Sequence, residues 1–471
     1  MLKDLLKEGG LYTIANLLTK GISLMLIPFY TSYFSTEDYG ILEYLSVFGG
    51  FVNGFFSLQI YQALARYIGD KTTSSSDKKS FASTGLFATI IMFSIFAILI
   101  FSNTPYYTEK LIGHNNQHLL LLFTVQLCIS NIFYYFNTYI RYDRNVKLFA
   151  SISFFYSLSN IGIIIALVAG LNYGIESIFY ASIITSLSFI TFQLFILRKK
   201  LIFNFSFPHL KTLLFYSLPL VPASLSFTIM LFTDRWFIKE YLSLSELGIY
   251  GVGYKFSSIV VLISTAFSMA LSPIIFNRYK DENVQKDISR IFNLFIGAGM
   301  FCIFLISFFS KETIEIFTDI KFHDAQYLMP IFYFTVGIST LTMFSVGLQI
   351  EKKTKTIAFI AILGAIFNLI LNLILVPKFG MYGAATATFI AVAFHSIVTF
   401  YLSQKEFPYK NKMNYFYLIV IINASLIYLT NYKFEIHLVY KISISIIYCL
   451  ILASIYKSEV KLLFQKITNN G

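Results

Sequence analysis

Long apolar runs are the feature that most constrains the fold of this chain. About fourteen stretches of roughly 20 residues are predominantly apolar, which is the length that an α-helix needs to cross a bilayer. Only 13% of the 471 residues are charged, too few to cover a soluble protein of this size. The approximate spans are 11–33, 39–62, 81–102, 118–140, 148–170, 175–197, 213–236, 247–273, 291–310, 328–350, 356–376, 381–403, 413–431 and 436–456. The sequence therefore predicts an all-α polytopic membrane protein with about 14 transmembrane helices.

The distribution of basic residues predicts how these spans are oriented. With the N-terminus placed in the cytoplasm, 26 of the 36 lysines and arginines fall in inner segments and six fall in outer segments. Cytoplasmic loops of membrane proteins carry such an excess. The net charge of +12 is therefore a topology signal and does not indicate a nucleic-acid partner. Both termini are predicted to be cytoplasmic.

The sequence lacks the common motifs of cofactor and metal sites. Cys128, Cys302 and Cys449 are isolated within spans, so neither a disulfide framework nor a zinc site is indicated. The motif H-E-x-x-H and the phosphate-binding loop G-x-x-x-x-G-K-[ST] do not occur. We expect no resident cofactor, no metal and no ATP-driven transport within this chain. Coupling to a gradient of H⁺ or Na⁺ stays open.

Two short matches indicate an internal duplication. YFSTEDYGIL (33–42) aligns with YLSLSELGIY (241–250), and NYGIESIFYAS (172–182) aligns with KFGMYGAATAT (378–388) at nearly the same offset. A duplicated unit of six spans starts from the same side each time, so its two copies run in parallel, as in many transporters with a central cavity. The predicted lobes are residues 1–205 and 206–405, followed by an appended helix pair in 406–471.

The connections between spans are too short to form separate domains. The longest outer loops are about 103–117 and 311–327. A membrane-bound glycan polymerase or ligase, which is one alternative function, would be expected to carry a larger outward loop. The loop lengths therefore favour transport.

Three stretches, taken together in their order, resemble Wzx-type polysaccharide flippases. They are LYTIANLLTKGISLMLIPFYTSYFSTEDYGILEYL (11–45), YSLPLVPASLSFTIMLFTDRWFIKEYLSLSELGIYGVGYKF (216–256) and EKKTKTIAFIAILGAIFNLILNLILVPKFGMYGAATATFIA (351–391). The resemblance covers essentially the whole chain and implies two six-helix lobes that form a V and move by alternating access. It also implies export of an undecaprenyl-diphosphate-linked oligosaccharide to the periplasmic leaflet of the bacterial inner membrane, for O-antigen, capsule or exopolysaccharide assembly.

The same superfamily contains multidrug extruders and lipid II flippases, so a multidrug antiporter is a further alternative. Its cavity should offer acidic residues to organic cations, whereas the deep charges here are mainly lysines. Under the flippase hypothesis the partners are the lipid-linked glycan and membrane lipids. The polysaccharide polymerase and the chain-length regulator are candidate protein partners, and a monomer is expected because one chain contains both lobes.

A diphosphate that crosses hydrocarbon needs a hydrated groove lined by cations. Lys20 lies on a polar stripe with Thr13, Asn16 and Ser23. Lys20 and Lys255 are both deep within spans, where we expect them to face the cavity; structural pairing or snorkelling is the alternative. Arg66 and Arg141 sit at inner helix ends, where such residues usually mark topology. One of them could still capture the diphosphate.

Asp234 and Arg235 end the seventh span side by side. Neighbouring residues on a helix point about 100° apart, so each is expected to have a different partner. The pair is either a structural brace or the outer mouth of a polar path. In the second case Arg235 would guide phosphate outward and Asp234 would be a counter-ion or a proton carrier. Glu43 and His395 are further candidates for ion coupling. The alternative for Glu43 is solvation at the membrane interface, and the alternative for His395 is packing within its span.

Two polar stripes and two prolines concern helix packing. The stripes are Asn368 with Asn372 on the eleventh span, and Asn131 with Tyr134 and Thr138 on the fourth. Such side chains more often make interhelical hydrogen bonds than sugar contacts. Pro219 and Pro222 predict a break or kink near the start of the seventh span.

Overall fold

Every regular element of the described chain is helical. The computed structural model describes residues 21, 24–70, 72–113, 116–143, 145–198, 200–202, 204–279, 281, 284–428 and 437–456. Within those ranges, α-helices alternate with short π and 3₁₀ segments, and no strand occurs. The prediction of an all-α fold is confirmed.

The chain divides into two compact units, Met1–Trp236 and Phe237–Gly471. The helices that begin in the first unit are α1 (Ile27–Tyr33), α2 (Thr36–Phe56), α3 (Ile60–Gly69), α4 (Ser75–Ser102), α5 (Thr104–Leu111), α6 (Gln117–Tyr142), α7 (Val146–Ile165), α8 (Glu176–Leu197), α9 (Phe207–Ser217) and α10 (Val221–Tyr241). The second unit contains α11 (Leu244–Arg278), α12 (Val284–Phe308), α13 (Ser310–Phe317), α14 (Met329–Ser339), α15 (Val346–Ile350), α16 (Thr354–Glu406), α17 (Met413–Tyr428) and α18 (Leu438–Ile455). The lobe limits given by the sequence stay predictions.

The long apolar helices account for the predicted spans. Seven of the described helices are long and apolar enough to cross a membrane, and two bent helix pairs bring that number to nine. One bent pair is α2 with α3, and α16 alone covers the eleventh and twelfth spans. The seventh span is divided between α9 and α10, α17 and α18 are the shorter last two, and most of the first span lies outside the described residues. The chain is a multi-pass membrane protein.

The same type of cap begins α2 and α11, the helices that start within the two copies of the first repeat match. Before α2, the Ser35 hydroxyl accepts the N–H of Asp38 at 3.0 Å, and the Asp38 carboxylate accepts the N–H of Ser35 at 3.1 Å. Before α11, the Ser243 hydroxyl accepts the N–H of Glu246 and donates to its carboxylate, both at 3.2 Å. These bonds satisfy N–H groups that a helix start leaves without partners. The matched residues therefore have the same local role in each unit.

A break at Gly380 folds α16 back on itself. Gly380 has φ +60° and ψ −141°, a backbone conformation that glycine adopts far more readily than other residues. The two halves then pack against each other, and Asn368 Nδ2 donates to Thr388 Oγ1 at 3.0 Å. A Cβ atom on Gly383 would lie 2.2 Å from the carbonyl oxygen of Leu375, so only a residue without a side chain permits this approach. The interhelical bond predicted for Asn368 is confirmed.

The second and seventh spans are both interrupted. Leu58 and Gln59, between α2 and α3, have φ values of +47° and +52°, and the two helices meet at a bend of 58°. In the seventh span the 3₁₀ segment Leu218–Leu220 separates α9 from α10, as the prolines predict. Gln59 Nε2 donates to Ser224 Oγ at 2.9 Å. The Gln59 side chain at the first interruption is thereby bonded to α10, the helix that follows the second interruption.

The last two helices pack against α12 through buried polar contacts. Asn423 Nδ2 donates to the carbonyl of Met300 at 3.4 Å. Lys441, which is only 3% exposed, donates to the carbonyl of Phe308 at 3.0 Å and pairs with Glu312 at 2.8 Å. A buried ammonium group requires such partners because it has lost its hydration. These contacts attach α17 and α18 to the second unit.

Candidate translocation site

Arg235 is the centre of a buried charge cluster in the first unit. It lies on α10 and is 1% exposed, and its Nε and Nη2 atoms donate to Oε1 of Glu43 at 3.2 and 3.0 Å. Glu43, on α2, is 8% exposed. Nη1 of Arg235 lies 3.7 Å from Oδ2 of Asp234, which is completely buried. We call Glu43, Asp234 and Arg235 the charge triad.

The charge triad combines one cation with two carboxylates, all of them buried. Moving each ion out of water costs several kcal/mol even after the protein relaxes, and close partners must offset that cost. Charge-assisted hydrogen bonds from Arg235 stabilise Glu43 in this way. Asp234 is the second buried carboxylate beside the guanidinium group, with its Oδ2 atom 3.7 Å from Nη1. Neutralising either carboxylate by a proton or a metal cation would weaken its hold on the guanidinium group.

The helices that carry the charge triad pack closely along their length. A Cβ atom on Gly54 of α2 would lie 3.0 Å from Leu225 Cδ2 of α10. Nearer the triad, the rings of Tyr44 and Phe232 have their centroids 5.7 Å apart. Small residues permit close backbone approach, and aromatic pairs add packing energy. Together these contacts set the register that brings the three charged side chains together.

Sequence reasoning singled out all three members of the triad but not their arrangement. The short bonds of Arg235 go to Glu43, which is 192 positions away, and its contact with the neighbouring Asp234 is longer. Arg235 thus has the separate partner that helix geometry required. Glu43 is buried rather than solvated at an interface. The sequence shows a carboxylate, Glu43, in one apolar run and a guanidinium group, Arg235, in another. That pattern does not specify a contact between them.

The other predicted cationic residues lie elsewhere in the chain. Lys20 is outside the described residues, and Lys255 is half-buried on α11 of the second unit. Arg66 and Arg141 are exposed, near the ends of α3 and α6. The Arg66 guanidinium lies 4.8 Å from the centre of the Tyr216 ring, and Arg141 also lies over aromatic rings. Both arginines therefore have their guanidinium groups near water and near an aromatic surface.

His395 belongs to the α16 hairpin. It is half-buried, and a Cβ atom on Gly364 of the other half would lie 3.4 Å from its own Cβ. The Thr399 hydroxyl donates to the His395 carbonyl at 2.7 Å. This position fits the packing interpretation. In the part of the chain that the structure describes, no three His, Cys, Asp or Glu side chains are grouped as a metal ion would require.

Comparison with known proteins identifies the family. The profile of the family described as "Polysaccharide biosynthesis protein" matches residues 5–278, a range that contains the whole charge triad. The chain belongs to the polysaccharide biosynthesis protein family. A second profile, MatE, matches residues 219–374 of this family member.

Individual relatives of this polysaccharide biosynthesis protein are distant. An uncharacterized membrane protein of Methanocaldococcus jannaschii is 25% identical over 419 residues, which are 82% of this chain and 95% of that protein. The "Probable low-salt glycan biosynthesis flippase Agl15" of Haloferax volcanii is 27% identical over 201 residues, which are 41% of this chain and 42% of the relative.

A solved structure extends the comparison to the fold. Lipid II flippase MurJ in its inward closed conformation superimposes with a TM-score of 0.72, covering 97% of this chain and 99% of MurJ. The two sequences are 17% identical, so this likeness establishes the fold alone. The predicted polytopic all-α architecture is confirmed.

Proposed function

We propose that this chain flips undecaprenyl-diphosphate-linked oligosaccharide repeat units from the cytoplasmic to the periplasmic leaflet for O-antigen, capsule or exopolysaccharide biosynthesis. Membership of the polysaccharide biosynthesis protein family supports this function, as does a relative named as a glycan biosynthesis flippase. In this proposal the protein lies in the bacterial inner membrane with both termini in the cytoplasm. It acts as a monomer by alternating access, and it makes and breaks no covalent bond.

The charge triad is the observation that carries the proposal. A diphosphate enters a low-dielectric cavity only when cations compensate its charge, and the planar fork of arginine suits bidentate contact with phosphate. Glu43 and Asp234 compete with such an anion for Arg235. Binding of H⁺ or Na⁺ to a carboxylate releases the guanidinium towards the diphosphate. Loss of that ion restores the carboxylate charge and displaces the diphosphate, which couples an ion gradient to its release.

The remaining candidate residues complete the path in this proposal. Arg66 or Arg141 captures the diphosphate at the cytoplasmic side, where an exposed guanidinium is accessible to a lipid head group. Lys20 and Lys255 then carry it through a cationic cavity. His395 is a second candidate for proton coupling. The lipid tail stays in the bilayer, and the released repeat unit becomes available to a polymerase and a chain-length regulator.

Replacing Lys20 and Lys255 together by alanine is expected to lower the initial rate of flipping by about tenfold or more, because each ammonium group is worth on the order of 1 kcal/mol to a diphosphate in a cavity. The assay uses proteoliposomes that contain a fluorescent undecaprenyl-diphosphate oligosaccharide. It follows the rate at which the outer-leaflet fraction becomes protected from added glycosidase.

The matched control for that prediction replaces two lysines of the predicted outer loops, Lys110 and Lys378, by alanine and should keep the wild-type rate. An unchanged rate for the variant of Lys20 and Lys255, with its thermal unfolding midpoint preserved, would contradict the cationic cavity. A wild-type rate no faster than that of protein-free vesicles, across several glycans, would overturn flipping itself.

A multidrug antiporter is the second candidate, because the MatE profile matches residues 219–374. In that case an organic cation would compete with Arg235 for the carboxylates of Glu43 and Asp234. Ethidium loaded into the same proteoliposomes separates the two functions. Efflux driven by an H⁺ or Na⁺ gradient, without glycan flipping, would favour the antiporter.

A further inference from the structure

A small polar notch lies among three membrane-spanning segments of the first unit, beside the middle of α4 and of α6. Its lining residues come from the break between α2 and α3, from the first turn of α3, from α4 and from α6, and are Ser57, Tyr61, Thr89, Asn131, Tyr134 and Tyr135. The cavity has a volume of about 10 Å³. That is the space of one water molecule or one hydroxyl group. We call this site the polar notch.

The polar notch offers both hydrogen-bond acceptors and hydrogen-bond donors. The Thr89 and Tyr135 hydroxyls each donate to a backbone carbonyl, at 2.9 and 2.7 Å. A hydroxyl has only one proton, so both oxygen atoms can now only accept further bonds. Asn131 donates to a carbonyl of its own helix at 2.9 Å and adds an amide oxygen. The lining also contains the hydroxyls of Ser57, Tyr61 and Tyr134, which can donate or accept, and the second N–H of Asn131. It therefore suits a group that both donates and accepts, such as a sugar hydroxyl.

An exposed aromatic ring borders the polar notch. The Tyr134 side chain is 48% exposed, and its ring meets that of Tyr61 edge-on with the centroids 5.6 Å apart. Tyr134 lies five residues, or about 8 Å, beyond the middle of the fourth span, within a hydrocarbon core about 30 Å thick, so an interfacial aromatic belt does not explain it. A phenol that faced hydrocarbon there would leave its hydroxyl without a partner at a cost of more than 1 kcal/mol. The exposed face of Tyr134 therefore indicates a water-containing path.

We propose that the polar notch is a carbohydrate subsite. A sugar hydroxyl or acetamido N–H donates into the notch, and the apolar face of the same sugar ring lies on Tyr134. This inference rests on the proposed function and adds to it the position of the glycan. Glu43 and Ser57 are 14 positions apart along the second span, so the subsite lies about 20 Å from the charge triad along the helix axis. Separate sites for sugar and diphosphate suit an elongated head group.

Competition by the free glycan tests the subsite. The competitor is the oligosaccharide released by mild acid from the fluorescent donor used in the flipping assay, so donor and competitor are matched. We expect the concentration that halves the flipping rate to rise about fivefold to tenfold in Tyr134→Leu, the loss expected when a ring-stacking contact is removed. Tyr134→Phe, which keeps the ring, should stay within about twofold of wild type.

The control is Phe155→Leu, which truncates another exposed aromatic residue of the first unit outside the notch and should leave the half-inhibiting concentration unchanged. Equal half-inhibiting concentrations for wild type and Tyr134→Leu would overturn the subsite, as would a free glycan that does not compete with the wild-type protein. Failure of the proposed function is distinguishable, because the wild type would then flip no donor in the absence of competitor. Asn131→Leu provides a second variant, and we expect it to weaken competition in the same direction.

Discussion

Arg235→Met is expected to abolish flipping and to lower the free energy of unfolding by about 3–5 kcal/mol, because it leaves the buried Glu43 carboxylate without the cation that pairs with it. Glu43 would lose both of its hydrogen bonds from the guanidinium group. Arg235→Lys restores the charge but offers no planar fork, so an intermediate stability is expected. Thermal unfolding in detergent and the flipping assay in proteoliposomes measure the two effects separately.

A double-mutant cycle distinguishes the charge triad from a general loss of packing. Glu43→Gln combined with Arg235→Met removes both charges of the close pair and should recover part of the lost stability without restoring transport. Lys353→Met is the control for a surface ion pair, since the Lys353 side chain is 46% exposed and pairs with Glu406 at 2.7 Å. It should cost less than about 1 kcal/mol. A loss for Arg235→Met no larger than for Lys353→Met would contradict the buried pair.

Gly383→Ala is expected to destabilise the α16 hairpin by about 1–3 kcal/mol, as overpacking of a close interface does. Its Cβ atom would lie 2.2 Å from the carbonyl oxygen of Leu375, and a backbone atom cannot rotate away as a side chain could. The two halves of α16 must then separate, which weakens the bond between Asn368 and Thr388. The thermal unfolding midpoint of the purified protein reports this loss.

Gly299→Ala on α12 is the control for the hairpin. A Cβ atom on Gly299 would have no neighbour within 4 Å, and alanine is the better helix former, so a gain of about 0.5–1 kcal/mol is expected. If Gly383→Ala were as stable as Gly299→Ala, the two halves of α16 would not be packed as closely as the structure shows.

Local chemistry decides which breaks in the helices a sequence can predict. Pro219 and Pro222 predict the interruption of the seventh span because proline lacks an N–H and clashes with the preceding turn. Leu58 and Gln59 carry no such signal, since neither glycine nor proline stands at the break. Their left-handed backbone is accompanied by a distant contact, the bond from Gln59 to Ser224. Contacts of that kind are invisible in a linear pattern.

The candidate site shows the same division between local and distant information. Charge in an apolar run is a local signal, and it indicated Glu43 and Arg235 separately. Their bond depends on the register of two helices, which a hydrophobic pattern does not define. Asn131 was predicted to bond between helices, yet its amide donates to Leu127 of its own helix. Which residues lie beside it in the polar notch follows from tertiary packing alone.

The hairpin of α16 also has a consequence for membrane insertion during synthesis. Asn368 bonds to a hydroxyl that is made 20 residues later, and at ribosomal speeds of about 5–20 residues per second that delay is roughly 1–4 s. An amide released alone into hydrocarbon would lack this partner at a cost of more than 1 kcal/mol. The first half of α16 is therefore better retained by the translocon until its second half emerges. The turn at Gly380 lets the two halves enter the lipid together.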